Sequence, residues 1–248
     1  MNRTTGIIVV VALALSIAAC AGNAKKAKEA QDRADTHIRL GIGYMQQGKK
    51  DLALTNLDKA VSVAPQYASA HNAIAILYAQ LGEFEQADRH YRKAVELDPK
   101  DANARNNYGA FLCDQRRYQE AYAQFEEAVK NPMYKTPELA MENAGLCAMR
   151  EQNYTYAGQS FRKALETNPN LPVSLQQMAE LSFRQKEYLK GRAYIQRMEA
   201  ATKHNPMTLW LAIKIEEGLQ AKDRATEYAR QLKAQFPESE QAKSLSGY

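Results

Sequence analysis

Three cysteines (Cys20, Cys113, Cys147) and four histidines (His37, His71, His90, His204) are the side chains of this 248-residue chain best suited to metal or nucleophilic chemistry. Their spacing argues against both. A zinc framework needs Cys and His at short, regular intervals, and none of these residues has a second ligand at such a distance. No Ser or Cys stands in the strand–turn–helix context of a nucleophile elbow. Gly43-Tyr44-Met45-Gln46-Gln47-Gly48-Lys49-Lys50 approximates a phosphate-binding loop. It lacks the closing Ser or Thr that would hold magnesium, and no strand precedes it. Gly48 fits better as the residue that ends a helix, followed by solvated lysines. The residues therefore predict no catalytic site, no metal, no cofactor and no small-molecule substrate. The net charge is +5, from 33 basic and 28 acidic residues interleaved along the chain. That is not the footprint of a nucleic-acid binder.

The remaining chemistry lies at the N-terminus. Arg3 precedes an apolar run over 6–17 that is too short to span a bilayer but long enough for a secretory h-region. The run ends in Ile17-Ala18-Ala19-Cys20. Small residues ahead of a lone cysteine look like a bacterial lipobox, in which the cysteine is acylated and becomes the mature N-terminus. Residues 1–19 are thus expected to be removed, taking Arg3 with them and lowering the charge from +5 to +4. Ala21, rather than Asp, follows the cysteine and favours the outer membrane. More than one acyl chain gives stable anchoring. Cys20 and the polar segment to residue 33 form the lipidated tether.

What positions any further function is a repeat. Leu40, Gly41, Tyr44, Ala53, Leu57, Ala60 and Pro65 recur 34 residues later as Ile74, Ala75, Tyr78, Ala87, Tyr91, Ala94 and Pro99. They recur again as Tyr108, Gly109, Leu112, Ala121, Phe125 and Ala128. Thr136 and Pro137 then intervene. A fourth copy keeps Gly145, Ala157, Phe161, Ala164 and Pro169. A degenerate fifth keeps Met178, Ala179, Gly191 and Ile195, and a sixth keeps Ala225 and Pro237. This is the tetratricopeptide pattern of helix–turn–helix units. A small residue in the eighth slot and Ala in the twentieth let two antiparallel helices close up, large side chains fill the gaps, and Pro ends the second helix. No pair buries its apolar face alone, so neighbours stack. The expected fold is all-α, a right-handed superhelical solenoid of six repeats at 34–67, 68–101, 102–135, 138–171, 172–205 and 206–239, with a tail at 240–248. End repeats with polar outer faces predict a monomer.

First-helix slots line the concave face of such a stack. They hold Ile38, Arg39, Ile42 and Met45, then Asn72 and Ile76, then Asn103, Asn106 and Asn107, then Asn143 and Leu146. Ile38, Ile42, Met45 and Ile76 make an apolar end, which marks a partner site or a place for the tether to fold back. The asparagines can pair with a peptide backbone regardless of its side chains, or serve as ordinary groove polarity. A clamp for a chaperone's C-terminal carboxylate would need cations where Ile38, Ile42, Asn103 and Asn107 stand. Cys113 and Cys147 fall on first helices of adjacent repeats. In an oxidising compartment they form a disulfide, or else remain two small buried residues, and geometry decides.

Together these features resemble the PilF/PilW family of type IV pilus biogenesis lipoproteins, the pilotins. The resemblance is carried by Asn106-Asn107-Tyr108-Gly109-Ala110-Phe111-Leu112-Cys113 with Arg117-Tyr118 and Glu120-Ala121, by Asn143-Ala144-Gly145-Leu146-Cys147, and by Asn168-Pro169-Asn170-Leu171-Pro172 leading to Met178-Ala179-Glu180-Leu181. It covers essentially the whole chain. It implies a non-enzymatic protein, lipid-anchored to the periplasmic face of the outer membrane, that helps secretin subunits reach that membrane and multimerise. The residues alone leave open a different role, a periplasmic scaffold that recruits cell-wall enzymes or other envelope proteins.

Overall fold

Alanine-rich, amphipathic stretches broken by Gly, Pro and short polar turns dictate helices of 13–15 residues. The computed structural model describes the backbone over residues 3–245 and the side chains over 25–245. Cys20 lies outside the described side chains. The helices are α1 (Arg3–Gln46), α2 (Lys50–Val63), α3 (Ala68–Leu81), α4 (Phe84–Leu97), α5 (Ala102–Asp114), α6 (Tyr118–Lys130) and α7 (Pro137–Glu151). They continue with α8 (Tyr154–Thr167), α9 (Pro172–Arg184), α10 (Tyr188–Ala201), α11 (Pro206–Gly218), α12 (Lys222–Gln235) and the single-turn α13 (Glu240–Lys243). No strand occurs among the described residues. Three first helices, α7, α9 and α11, open on proline, whose missing N–H costs nothing in a first turn.

The backbone itself records the repeat. Left-handed residues occur at Gly48, Gly82, Arg116, Gln152, Lys186 and Gln220. Each marks the turn between the two helices of a pair. Successive intervals are 34 residues, except for 36 between Arg116 and Gln152, where Thr136 and Pro137 are inserted. Glycine takes this conformation freely, whereas the four later residues hold it at a cost.

The chain divides into two compact units, Met1–Tyr108 and Gly109–Tyr248. In the first, α1 pairs with α2 and α3 with α4, and α2 packs on α3. Its core joins Ala34, Ile38, Leu57, Ala60, Ile74 and Leu77. A Cβ on Gly41 would come within 2.6 Å of Leu57, so the eighth slot must be empty for the pair to close. The expected tether behaves differently from a string. Its described part, from residue 25, is helical and runs unbroken into the first repeat. It therefore does not fold back over the apolar end.

In the second unit the same contact recurs. Gly109 and Gly145 face the rings of Phe125 and Phe161, where a Cβ would lie 2.7 and 2.6 Å away. The sixth repeat inverts the sizes: Ile213 fills the eighth slot and Ala229 the twenty-fourth, both fully buried in one cluster with Leu209, Ala225 and Leu232. Repeats five and six are also joined by an ion pair in which the buried Glu216 accepts from Nε and a terminal nitrogen of the half-buried Arg192. The segment expected as a tail carries α13, whose Ala242 joins the last cluster.

Candidate functional site

The apolar end in the first unit is narrower than the slots predict. Ile38 is only 9% exposed and belongs to the core. It shares its cluster with the small Ala70 and Ala73 of α3, which leave room for a larger chain from α1. Ile38 is thus corrected from a groove residue to a packing residue. Met45 is half-buried against the same cluster, and Ile76 is half-buried on α3. Ile42 stands 42% exposed. Leu40, in the slot that a preceding repeat would cover, is exposed as well.

Asn72 and Asn107 meet across α3 and α5. Asn107 Nδ2 donates to Asn72 Oδ1 at 3.3 Å. The pair leaves a second lone pair and amide hydrogens for a ligand. Asn106 is half-buried beside Asn107. Ile42, Met45, Ile76 and these amides are the expected first-helix groove residues that this unit carries.

The histidines have structural work. His71 is buried, and its Nε2 lies 3.1 Å from the Pro65 carbonyl, which can only accept. Nε2 therefore carries the proton, and Nδ1 accepts from His90 Nδ1 at 2.9 Å. Burial lowers the pKa of both rings. For His90, burial first, then the neighbouring His71 and Arg89, bring it to about 4. His37 is half-buried, with Nδ1 3.3 Å from Asn56 Oδ1. Among the described residues no group of three or more His, Cys, Asp or Glu could hold a metal ion.

On the second unit, Cys113 of α5 and Cys147 of α7 form a disulfide, with Cα atoms 5.7 Å apart. Asn143 and Leu146, both half-buried on α7, line a shallow pocket of about 140 Å³ beside it, rimmed by the Asp114–Arg150 ion pair. The structure thus divides the expected groove residues between units. Ile42, Met45, Asn72, Ile76, Asn106 and Asn107 lie on the first, and Asn143 and Leu146 on the second.

Residues that the sequence reasoning passed over occupy the second slot. Leu139, Val173 and Met207 are 41, 43 and 42% exposed. The signal was available, because the same slot holds Asp35, Ser69 and Asn103 in the first three repeats. No helix among the described residues is long and apolar enough to cross a membrane.

The chain matches the tetratricopeptide repeat family over residues 32–100, 72–135 and 112–172. It is 34% identical over 218 residues to the type IV pilus assembly protein PilF of Pseudomonas aeruginosa, spanning 88% of this chain and 86% of that protein. The solved structure of P. aeruginosa PilF aligns with a TM-score of 0.76 at 33% identity, covering 87% of this chain and 97% of the other. PilW, a widely conserved type IV pilus biogenesis factor, aligns with a TM-score of 0.75 at 26% identity, covering 85% and 97%.

Proposed function

The chain belongs to the PilF family of tetratricopeptide-repeat proteins of type IV pilus assembly, and from that premise we propose that it acts as a pilotin. In this reading it is a non-catalytic, monomeric lipoprotein, acylated at Cys20 and held at the periplasmic face of the outer membrane. It binds secretin subunits and promotes their localisation and multimerisation there.

The observation that supports this reading is the exposed Ile42, next to the half-buried Met45 and Ile76 and the Asn72–Asn107 amide pair. An unassembled ring subunit exposes apolar surface that would otherwise aggregate. A face with one protruding aliphatic side chain and backbone-pairing amides shelters such a segment without demanding a particular sequence. The lipid adds location: anchoring both partners to one membrane raises their effective concentration.

The test compares secretin multimers in four strains: wild type, a deletion, Cys20→Ala and Ile42→Asp. Heat-resistant multimers should vanish in the deletion, shift to the inner membrane in Cys20→Ala, and fall strongly in Ile42→Asp while the protein itself accumulates normally. Unchanged multimers and intact pili in the deletion would sink the reading.

A further inference from the structure

In three repeats, one slot of the second helix reaches across to the first helix that follows. Asp88 accepts from the Tyr108 hydroxyl at 3.0 Å, Tyr122 donates to Glu151 at 2.5 Å, and Arg192 donates to Glu216. In repeat four that slot holds Gly158. The facing position has shrunk with it: Ser182 stands 34 residues before Glu216, as Gly158 stands 34 before Arg192. Packing does not require this glycine. A Cβ there would meet only Leu181, at 3.7 Å, and a terminal nitrogen of Arg162, at 4.0 Å. These are ordinary contacts, unlike the close approaches at Gly109 and Gly145.

The vacated space is a cavity of about 200 Å³. The second helices α8 and α10 form its walls, and the buried Met178, Leu181 and Ser182 of α9 form its floor. Its exposed helical lining residues, Thr155, Arg162 and Lys190, all lie on second helices, apart from the first-helix face. Close-packed interiors hold few voids larger than a water molecule. The polar groups here are unengaged. Ser182 is only 4% exposed, yet its hydroxyl makes no hydrogen bond among the described residues. Of the charged lining, Lys190 and Glu187 pair with each other at 2.7 Å. Arg162 enters no ion pair among the described residues.

We propose that this cavity binds a small carboxylic acid. A guanidinium presents parallel N–H donors that match a carboxylate, and Arg162 holds one at the cavity wall. In the next junction the carboxylate that meets the guanidinium is the chain's own Glu216. Here the ligand brings it. The Ser182 hydroxyl gives a further donor from the floor, and Met178 and Leu181 receive a short methylene stem. The cavity is smaller than the about 300–1,000 Å³ of a drug-sized site, so the acid is compact, of glutarate size. This site stands apart from the pilus role, and its test does not depend on that role.

The test is isothermal titration of the full-length mature protein with glutarate, in a buffer free of other carboxylates and of phosphate. Saturable binding is expected. Charge-assisted hydrogen bonds make it at least about tenfold weaker for Arg162→Gln, for the neutral analogue glutaramide, and for inorganic phosphate, which has no stem. Gly158→Arg/Ser182→Glu rebuilds the following junction inside the cavity and should abolish binding. Circular dichroism checks that this variant folds; Arg162 is exposed, so Arg162→Gln decides the matter if it does not. Amide NMR shifts should concentrate on α8–α10. A capped tripeptide with a central glutamate identifies the source. Binding tighter than that of glutarate keeps the site and assigns the carboxylate to a partner protein's side chain, whereas weaker binding assigns it to a free acid. No saturable binding of glutarate, equal binding of glutaramide or phosphate, equal binding by Arg162→Gln, or amide shifts scattered beyond α8–α10 overturns the proposal.

Discussion

Breaking the Cys113–Cys147 bridge should cost a specific amount. The bridge closes a loop of 34 residues within the second unit. The chain-entropy estimate for a loop of that length is about 3.8 kcal/mol at 25 °C. Both cysteines are buried, so reduction leaves two thiols in place and adds little else. The bridge joins first helices of adjacent repeats, α5 and α7, and thereby encloses all of α6. Its loss should act on this segment as a block. The assay is urea unfolding of the oxidised and reduced protein, followed by circular dichroism. With a slope of about 1–3 kcal/mol per molar urea, the midpoint should fall by roughly 1.3–3.8 M. Cys113→Ala/Cys147→Ala should fall at least as far, since it also leaves small cavities. Hydrogen exchange should speed up in α6 on reduction. A shift worth less than about 1 kcal/mol would falsify the loop-closure reasoning, because the closed loop would then already be restrained in the unfolded chain.

Two further outcomes follow from particular side chains. His90 has its pKa lowered from 6.5 to about 4, mainly by burial. The folded state resists its protonation, so stability present above the unfolded value should be lost as pH falls from about 6.5 towards 4. The loss should be on the order of 2 kcal/mol once partial exposure is discounted, and a His90→Gln variant should show a flatter pH profile; identical profiles would refute it. Gln152 is an exposed residue held at φ 64°. Gln152→Gly should stabilise by about 0.5–1 kcal/mol, whereas Gly82→Ala, at φ 81°, should destabilise by about 1–2 kcal/mol. Thermal melts of both variants decide this, and equal signs would contradict it.

The repeat architecture was legible because its rules are local and repeat. The spacing of Gly41, Gly109 and Gly145 from their large partners reports a helix–helix approach that only a missing Cβ permits. The two-residue insertion at Thr136 and Pro137 was readable for the same reason. The sixth repeat was harder. Its eighth and twenty-fourth slots exchange sizes, so Ile213 and Ala229 conserve volume while breaking the residue pattern. Ile38 was misplaced because slot position assigns a face, whereas burial depends on the neighbour, and Ala70 and Ala73 are small enough to admit it. The helical stem ahead of residue 34 carries few apolar residues. Its Ala30 packs on the first core beside Ala34, which periodicity in so polar a stretch conveys weakly. The candidate faces were legible in residue type but not in extent: the row through Val173 shows only when corresponding slots are compared across repeats.

The unbroken passage of α1 from residue 25 into the first repeat has a mechanical meaning. Nine helical residues, 25–33, advance about 13 Å along a fixed axis, whereas a flexible chain of that length would wander through a broad cloud of positions. Whatever holds the chain upstream of this segment therefore sets the direction in which Ile42 points as well as its distance. The stem is a bracket rather than a leash. Rotating it by one residue would swing the face through about 100°, so insertions here should act by turning the face while leaving its composition untouched.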